Sequence, residues 1–349
     1  MSPSNRSVRD PRPETADPAD GAGLEVRGLR VSIGSGGNSV DLIDGVDLSL
    51  APGRRLALVG ESGSGKSLTA TALMGLVDYP LRSKADVLRL GGVDLARLSP
   101  QQWRKVRGPL VSMVQQDPLT ALSPVFSAGS QVAEAARSRT RDRKQAWAQA
   151  IERMREVGIP DPAIRANDYP HQLSGGLRQR VAIAMALASE PSLMIADEPT
   201  TALDVTVQAQ IIELLRTLSE QRGMSVVFIT HDLGIVPGFA HELAVMYAGR
   251  IVETGAADTV LSVPRHPYTH ALIASQPGLD PSSPKRRLPT IPGSPPLAKA
   301  RPPGCPFAPR CPLALEICTK AVPELRLVDE RLVACHRAEE APELLGAPA

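Results

Sequence analysis

The chain has 349 residues, enough for one large α/β domain and an appendage, and 42% are hydrophobic, so a sizeable core is available. Aromatics make up only 3%, so that core must be built from Ala, Val, Leu and Ile. A net charge of +2 on 39 basic and 37 acidic residues gives no support for a protein that coats nucleic acid, and no apolar run reaches the length of a membrane span. No signal-peptide core lies near Met1. The chain is therefore expected to stay in the cytoplasm and to meet a membrane only through a partner.

Residues 1–22 are rich in Pro, Asp, Arg and Ser, the composition of a disordered tail. Leu24–Val26 and Leu29–Ile33 alternate like a strand, Gly34–Asn38 is a turn, and Val40–Leu50 and Arg55–Val59 continue the strand pattern. These strands suggest a small antiparallel sheet laid beside a nucleotide. Gly60, Glu61, Ser62, Gly63, Ser64, Gly65, Lys66 and Ser67 then read G-x-x-x-x-G-K-S, and Leu68–Met74 reads as a helix. Strand, glycine loop and helix are the context that a phosphate-binding loop requires. Its glycines allow a tight turn and close approach, and its N–H groups and helix N-terminus face a polyphosphate. Lys66 brings a point charge to the β/γ-phosphates, and the Ser67 hydroxyl can sit on Mg²⁺.

Further along, Asp86–Gly91 reads as a strand, Ser99–Val106 as a short helix and Leu110–Gln115 as a strand running into Gln116-Asp117-Pro118. From Ser130 to Gly158 the pattern is helical and charged. Ser174 is a plausible N-cap for a helix through Ser189. Leu193–Ala196 is a buried-type strand ending in Asp197-Glu198-Pro199. Asp197 can hold Mg²⁺ directly or through water, and Glu198 can polarise an attacking water. Val207–Gln221 reads as a helix, Ser225–Thr230 as an apolar strand, and His231 follows where it can contact a γ-phosphate. Leu243–Tyr247 and Gly249–Glu253 look like a closing hairpin. Strands alternating with helices argue for a mostly parallel, helix-covered sheet.

One loop says only nucleotide; the set says more. Phosphate loop, Gln115-Gln116-Asp117-Pro118, Leu173-Ser174-Gly175-Gly176, the strand ending in Asp197-Glu198, Thr201–Asp204 and Thr230-His231-Asp232 follow in order. Together they resemble the ATP-binding cassette (ABC) family over about residues 24–265. The resemblance implies a P-loop NTPase fold with a mostly parallel core sheet, an antiparallel β subdomain and a helical subdomain near 118–175, the cassette as a whole spanning 23–265. It implies two cassettes clamping two ATP molecules head to tail, with Ser174, Gly175 and Gly176 of one capping the γ-phosphate on the other's loop. Gln116 matches the residue that touches Mg²⁺ and the membrane subunit, and Leu203 and Asp204 match the segment crossing the dimer interface. The family usually stacks adenine on an aromatic upstream of the loop. Ser32-Ile33-Gly34-Ser35 has none, and Ile33 is the nearest candidate.

Composition changes near residue 265: 15 of the 33 prolines lie within 277–349, as do all 4 cysteines. This tail, 266–349, reads as a separate, irregular module. Arg265–Leu272, Leu288–Gly293 and the cysteine-rich stretch resemble the C-terminal extension of oligopeptide/dipeptide importer ATPases, whose relatives also carry nickel or other small solutes. That resemblance implies an ATP-hydrolysing motor at the cytoplasmic face of a membrane. Its partners would be a second cassette subunit, two transmembrane permease subunits and an extracytoplasmic solute-binding protein. The rival readings are a soluble cassette ATPase acting on nucleic acid or ribosomes, and a tail that senses metal and regulates the motor. Cys305, Cys311, Cys318 and Cys335 fill a tetrathiolate set, and disulfides are disfavoured in a reduced compartment. Their spacings are not those of a zinc knuckle. A [4Fe–4S] cluster, to which the importer resemblance also points, zinc and free thiols all stay open.

Overall fold

In the computed structural model, which describes residues 23–34, 36, 39–201, 203–276 and 290–346, the strands form two sheets. The first follows from the alternation read above: Leu24, Val26, Leu29 and Val31 are buried, with a register shift where Gly28 takes a positive φ of 58°. Strand Leu24–Ile33 pairs antiparallel with Val40–Leu50 on one side and with Leu81–Lys84 and Val87–Leu90 on the other, and Val93–Asp94 completes five strands.

The second sheet has eight strands, in the order 326–328, 331–333, 250–256, 242–247, 55–59, 225–230, 193–197, 111–114. From 242–247 to 111–114 every pairing is parallel. Arg55–Val59, Leu193–Asp197 and Ser225–Thr230 are buried at every residue, as parallel strands covered on both faces must be. Their carboxyl ends lie on one side of the sheet, where open α/β sheets place ligands. The segments following 55–59, 225–230, 193–197 and 111–114 are the ones that the sequence singles out for chemistry.

Helices Ala128–Ala136, Arg143–Glu156 and Gly175–Leu187 build the lobe that follows strand 111–114. Arg143–Glu156 buries only Ala146, Ala150 and Met154, in keeping with an exposed amphipathic helix. Gly175–Leu187 is buried along most of its length, and the lobe shares one apolar cluster with the parallel strands through Val181, Ile183, Met194 and Phe228.

The C-terminal region departs from the sequence reading of a separate module. It does lack long elements, but Arg331–Val333 pairs antiparallel with 250–256 and Arg326–Val328 pairs with it in turn, so the tail extends the cassette's own sheet. Phe307 is 1% exposed and its ring lies 5.3 Å from that of Tyr247 and 5.4 Å from that of Tyr268. A scarce aromatic from the tail thus fills the core beside strand 242–247, a contact that local pattern cannot announce. The tail 1–22 and the Leu288-Pro289 portion of the proline motif lie outside the described residues.

Candidate nucleotide site

The loop after strand Arg55–Val59 owes its shape to its glycines. Gly60, Gly63 and Gly65 have φ of 153°, 78° and 108°, values that side-chain-bearing residues rarely adopt. At Gly60 a Cβ would fall on the Met246 carbonyl, and at Gly65 on the Ile43 side chain. Helix Lys66–Leu73 starts directly on the loop. Lys66 is 5% exposed and donates to the carbonyls of Gly60 at 2.8 Å and Glu61 at 3.0 Å. Burial lowers its pKa, opposed by the charges of Glu198, Asp197 and Glu61. An ammonium held in a desolvated loop gives an anionic phosphate oxygen a strong partner.

Ser67 Oγ donates to Asp197 Oδ1 at 3.1 Å, across 130 residues of sequence. Asp197 ends its strand 4% exposed, and desolvation raises its pKa while the Ser67 bond opposes the rise. A hydroxyl and a carboxylate side by side are hard oxygen donors that suit Mg²⁺, and a cation there would restore the charged form.

Glu198 follows with φ 45°, a left-handed backbone that costs a glutamate roughly 1–2 kcal/mol. Its N–H donates to Ile229 O at 2.9 Å, which ties the strained residue to strand 225–230. The carboxylate then gathers three partners. Gln116 Nε2 donates to Oε2 at 3.0 Å, Thr201 Oγ1 donates to the same oxygen at 3.1 Å, and His231 Nδ1 lies 3.3 Å from it. Gln116, Glu198 and His231, singled out separately in the sequence, meet at one oxygen because their strands are neighbours. Thr201 opens the T-A-L-D run, whose motif carries no sign of this contact.

Lys66, Ser67, Gln116 and Glu198 line one cleft of about 560 Å³. Ser174, Gly175 and Gly176 do not line it. Ser174 caps helix Gly175–Leu187, its Oγ accepting from Leu177 N at 3.4 Å, and Ser174 and Gly175 are exposed. This helix N-terminus is thus exposed and lies outside the lining of the chain's own loop cleft. Asp204 caps helix Val205–Arg222 in the same way, accepting from Val207 N at 2.9 Å.

Two tail residues hold the loop from outside. The Glu61 N–H donates to the Tyr268 hydroxyl at 2.8 Å. Arg310 forks onto the Glu61 carboxylate at 3.0 and 3.2 Å, with its side chain only 6% exposed. Tyr268 stood inside the noted Arg265–Leu272 motif. Arg310 carried no signal, lying 249 residues from its partner.

All four cysteines line one small cavity with His266, Phe307 and Pro323, and none is in a disulfide. Its volume is about 20 Å³, room for about one water. Burial raises the pKa of Cys305, pushes Cys311 to about 11 and Cys335 to about 12, so these are thiols at neutral pH. Among the described residues no group of three or more His, Cys, Asp or Glu could hold a metal ion. The four sulfurs thus share one cavity, but its small volume and the lack of a metal-binding arrangement give the expected [4Fe–4S] cluster no support.

The comparisons with known proteins follow the same division. Residues 43–201 match the ABC transporter family, and residues 252–318 match the oligopeptide/dipeptide transporter C-terminal region. The chain is 47% identical over 315 residues to the dipeptide transport ATP-binding protein DppD of Escherichia coli K12, covering 90% of this chain and 96% of that one. It is 48% identical over 313 residues to a putative peptide import ATP-binding protein of Brucella abortus, covering 89% and 94%. Among solved structures it resembles the dimeric bacterial ABC transporter cassette MJ0796, with TM-score 0.59 and 26% identity over 67% of this chain and 98% of that one. It also resembles cbiO1 of Clostridium perfringens, part of the complex cbiONQ, with TM-score 0.57 and 25% identity over 69% and 91%.

Proposed function

The chain belongs to the ABC transporter family of ATP-binding proteins, and from that premise we propose that it drives peptide import, most directly of dipeptides, by binding and hydrolysing ATP. It is an ATPase of the importer type. The observation that carries the site assignment is the meeting of Gln116, Thr201 and His231 on the Glu198 carboxylate, beside the Ser67–Asp197 pair. Lys66 and the loop N–H groups would hold the phosphates, and Ser67, Asp197 and Gln116 would hold Mg²⁺, which would neutralise phosphate charge. Glu198 is oriented by its neighbours to take the proton of the attacking water. Ser174, Gly175 and Gly176 cap the nucleotide of a second cassette, a role that fits the exposure of Ser174 and Gly175 and their place at a helix N-terminus.

No helix among the described residues is long and apolar enough to cross a membrane. In this reading two permease subunits carry the passage, with the chain seated at the cytoplasmic face and the solute delivered by an extracytoplasmic binding protein. Val125 and Phe126, 70% and 59% exposed just beyond Gln116, offer an apolar contact for such a subunit. The test is the complex reconstituted in vesicles: dipeptide should stimulate ATP hydrolysis and enter the lumen. Hydrolysis that ignores peptide and answers another solute would overturn the substrate.

A cluster at the four thiols belongs to the same proposal. Two of the sulfurs accept a backbone N–H, Cys318 from Leu315 at 3.5 Å and Cys335 from Arg337 at 3.4 Å. Such donors favour the thiolate form that iron requires. Loading must spread the thiols. Protein purified without oxygen should contain equal iron and acid-labile sulfide; zinc alone, or neither metal, would overturn it.

A further inference from the structure

Phosphate chemistry occupies part of the cleft, and the rest of its lining is apolar and comes from an unexpected place. Ile33, the candidate base contact, is not in the lining. Leu42 is, together with Pro295, Pro296, Leu297 and Ala298 of the C-terminal extension. Leu297 is 79% exposed, a large apolar side chain left open at the cleft.

This segment is fastened where it meets the cassette. Arg301, whose side chain is 14% exposed, donates to the Leu42 carbonyl at 2.7 Å and lies 3.9 Å from Asp44. A Cβ at Gly249, where φ is 80°, would fall on both that carbonyl and the Arg301 guanidinium. Arg301 thus plugs into a gap that only a glycine leaves, and the turn Ala298–Ala300 carries the chain from it to Leu297. Two consecutive prolines precede. They fix φ, carry no N–H, and present ring faces that lose little freedom when covered.

We propose that Pro295, Pro296 and Leu297, held by Arg301, form the wall on which the adenine and ribose of bound ATP lie, replacing the aromatic that this chain lacks. The proposal rests on the ATP reading above. An apolar wall without hydrogen-bond donors gains affinity from any flat base and discriminates weakly between bases, so GTP should bind within a few fold of ATP. Burying a few tens of Å² of apolar surface on this wall is worth about tenfold in affinity.

The experiment measures binding of Mg²⁺ complexes of ATP, GTP and inorganic tripolyphosphate to the full chain by calorimetry. Tripolyphosphate reports the phosphate loop alone. Leu297→Asp should weaken ATP about tenfold, towards the tripolyphosphate value, and leave tripolyphosphate unchanged. Leu297→Trp should tighten ATP, and the added indole fluorescence should change with ATP and not with tripolyphosphate. Unchanged ATP affinity in Leu297→Asp, or equal loss for ATP and tripolyphosphate, would overturn the wall. Failure of the unaltered chain to bind ATP would instead overturn the ATP reading, and the wall with it.

Discussion

The phosphate loop and the C-terminal extension hold their side chains by opposite means. In the cassette, Gln116, Glu198 and His231 stand at or just beyond the ends of adjacent parallel strands, so the sheet's backbone ladder sets their spacing. In the extension there is little ladder. Arg310 reaches the carbonyls of Pro292 and Ile291 as well as Glu61, and Arg301 and Phe307 add further holds. Regular hydrogen bonding positions groups that must line up for chemistry; long cations and a few rings fasten a segment that must conform to a surface already there.

The comparison breaks most sharply if the extension is dispensable to the cassette's stability. Phe307→Ala should cost about 3–5 kcal/mol, the range for an aromatic removed from a closed core, and should lower the unfolding midpoint of the whole cassette. A separate early transition confined to the tail, read by calorimetry, would return the extension to an appendage. Next is Glu198→Gln, which keeps shape and Mg²⁺ contacts but removes the base. Hydrolysis in the assembled complex should fall about 10²-fold or more with ATP binding retained, whereas Lys66→Ala should weaken binding itself. Near-normal turnover in the glutamine variant would free Glu198 from the role.

Arg310→Ala tests the bridge between the two regions. Losing a forked bond to a carboxylate should cost about 1.5 kcal/mol, and ATP affinity should drop as Glu61 loosens. Arg310→Lys keeps the charge without the fork and should fall between. Equal ATP affinity in all three proteins would show that the extension holds Glu61 without steering the loop. The smallest effect is set by acid. His266 is buried, its pKa lowered by desolvation to about 3, and its Nδ1 accepts from Tyr268 N at 3.0 Å. Below about pH 6.5 the unfolded chain takes up a proton that the folded chain does not, so this group removes about 1 kcal/mol of stability between pH 6.5 and 5.5. Glu253, whose buried carboxylate accepts from the N–H of Arg265 and His266, has a raised pKa and acts in the opposite sense. The difference between the parent and His266→Asn isolates the histidine, and a difference that stays flat over this window would place its proton elsewhere.

Much of the cassette is legible in the sequence because its signals are local. Glycines at fixed offsets, an apolar strand ending in Asp197-Glu198, and a Ser174 cap each report their own backbone. Even the convergence on Glu198 follows once parallel order is granted. Arg310 and Glu61 lie 249 residues apart, and Arg301 and Leu42 lie 259 apart, each a cation meeting an acceptor with no periodicity to mark it. The two short strands 326–328 and 331–333 escape for another reason. Each has three residues, too few for alternation to be told from chance.

Those three-residue strands also settle how the sheet ends. Strand Arg250–Ala256 would otherwise offer unpaired N–H and C=O groups along a flank rich in buried side chains. The hairpin occupies that flank and substitutes an edge that is brief and charged, with Arg326 paired to Glu339 at its rim. Short, ionic margins are poor templates for a stray strand. A chain cut after Ala274 would keep every group proposed to touch phosphate and magnesium, and would still bare a sticky seam to its neighbours. The extension thus also covers an edge at which copies of a shortened chain would pair.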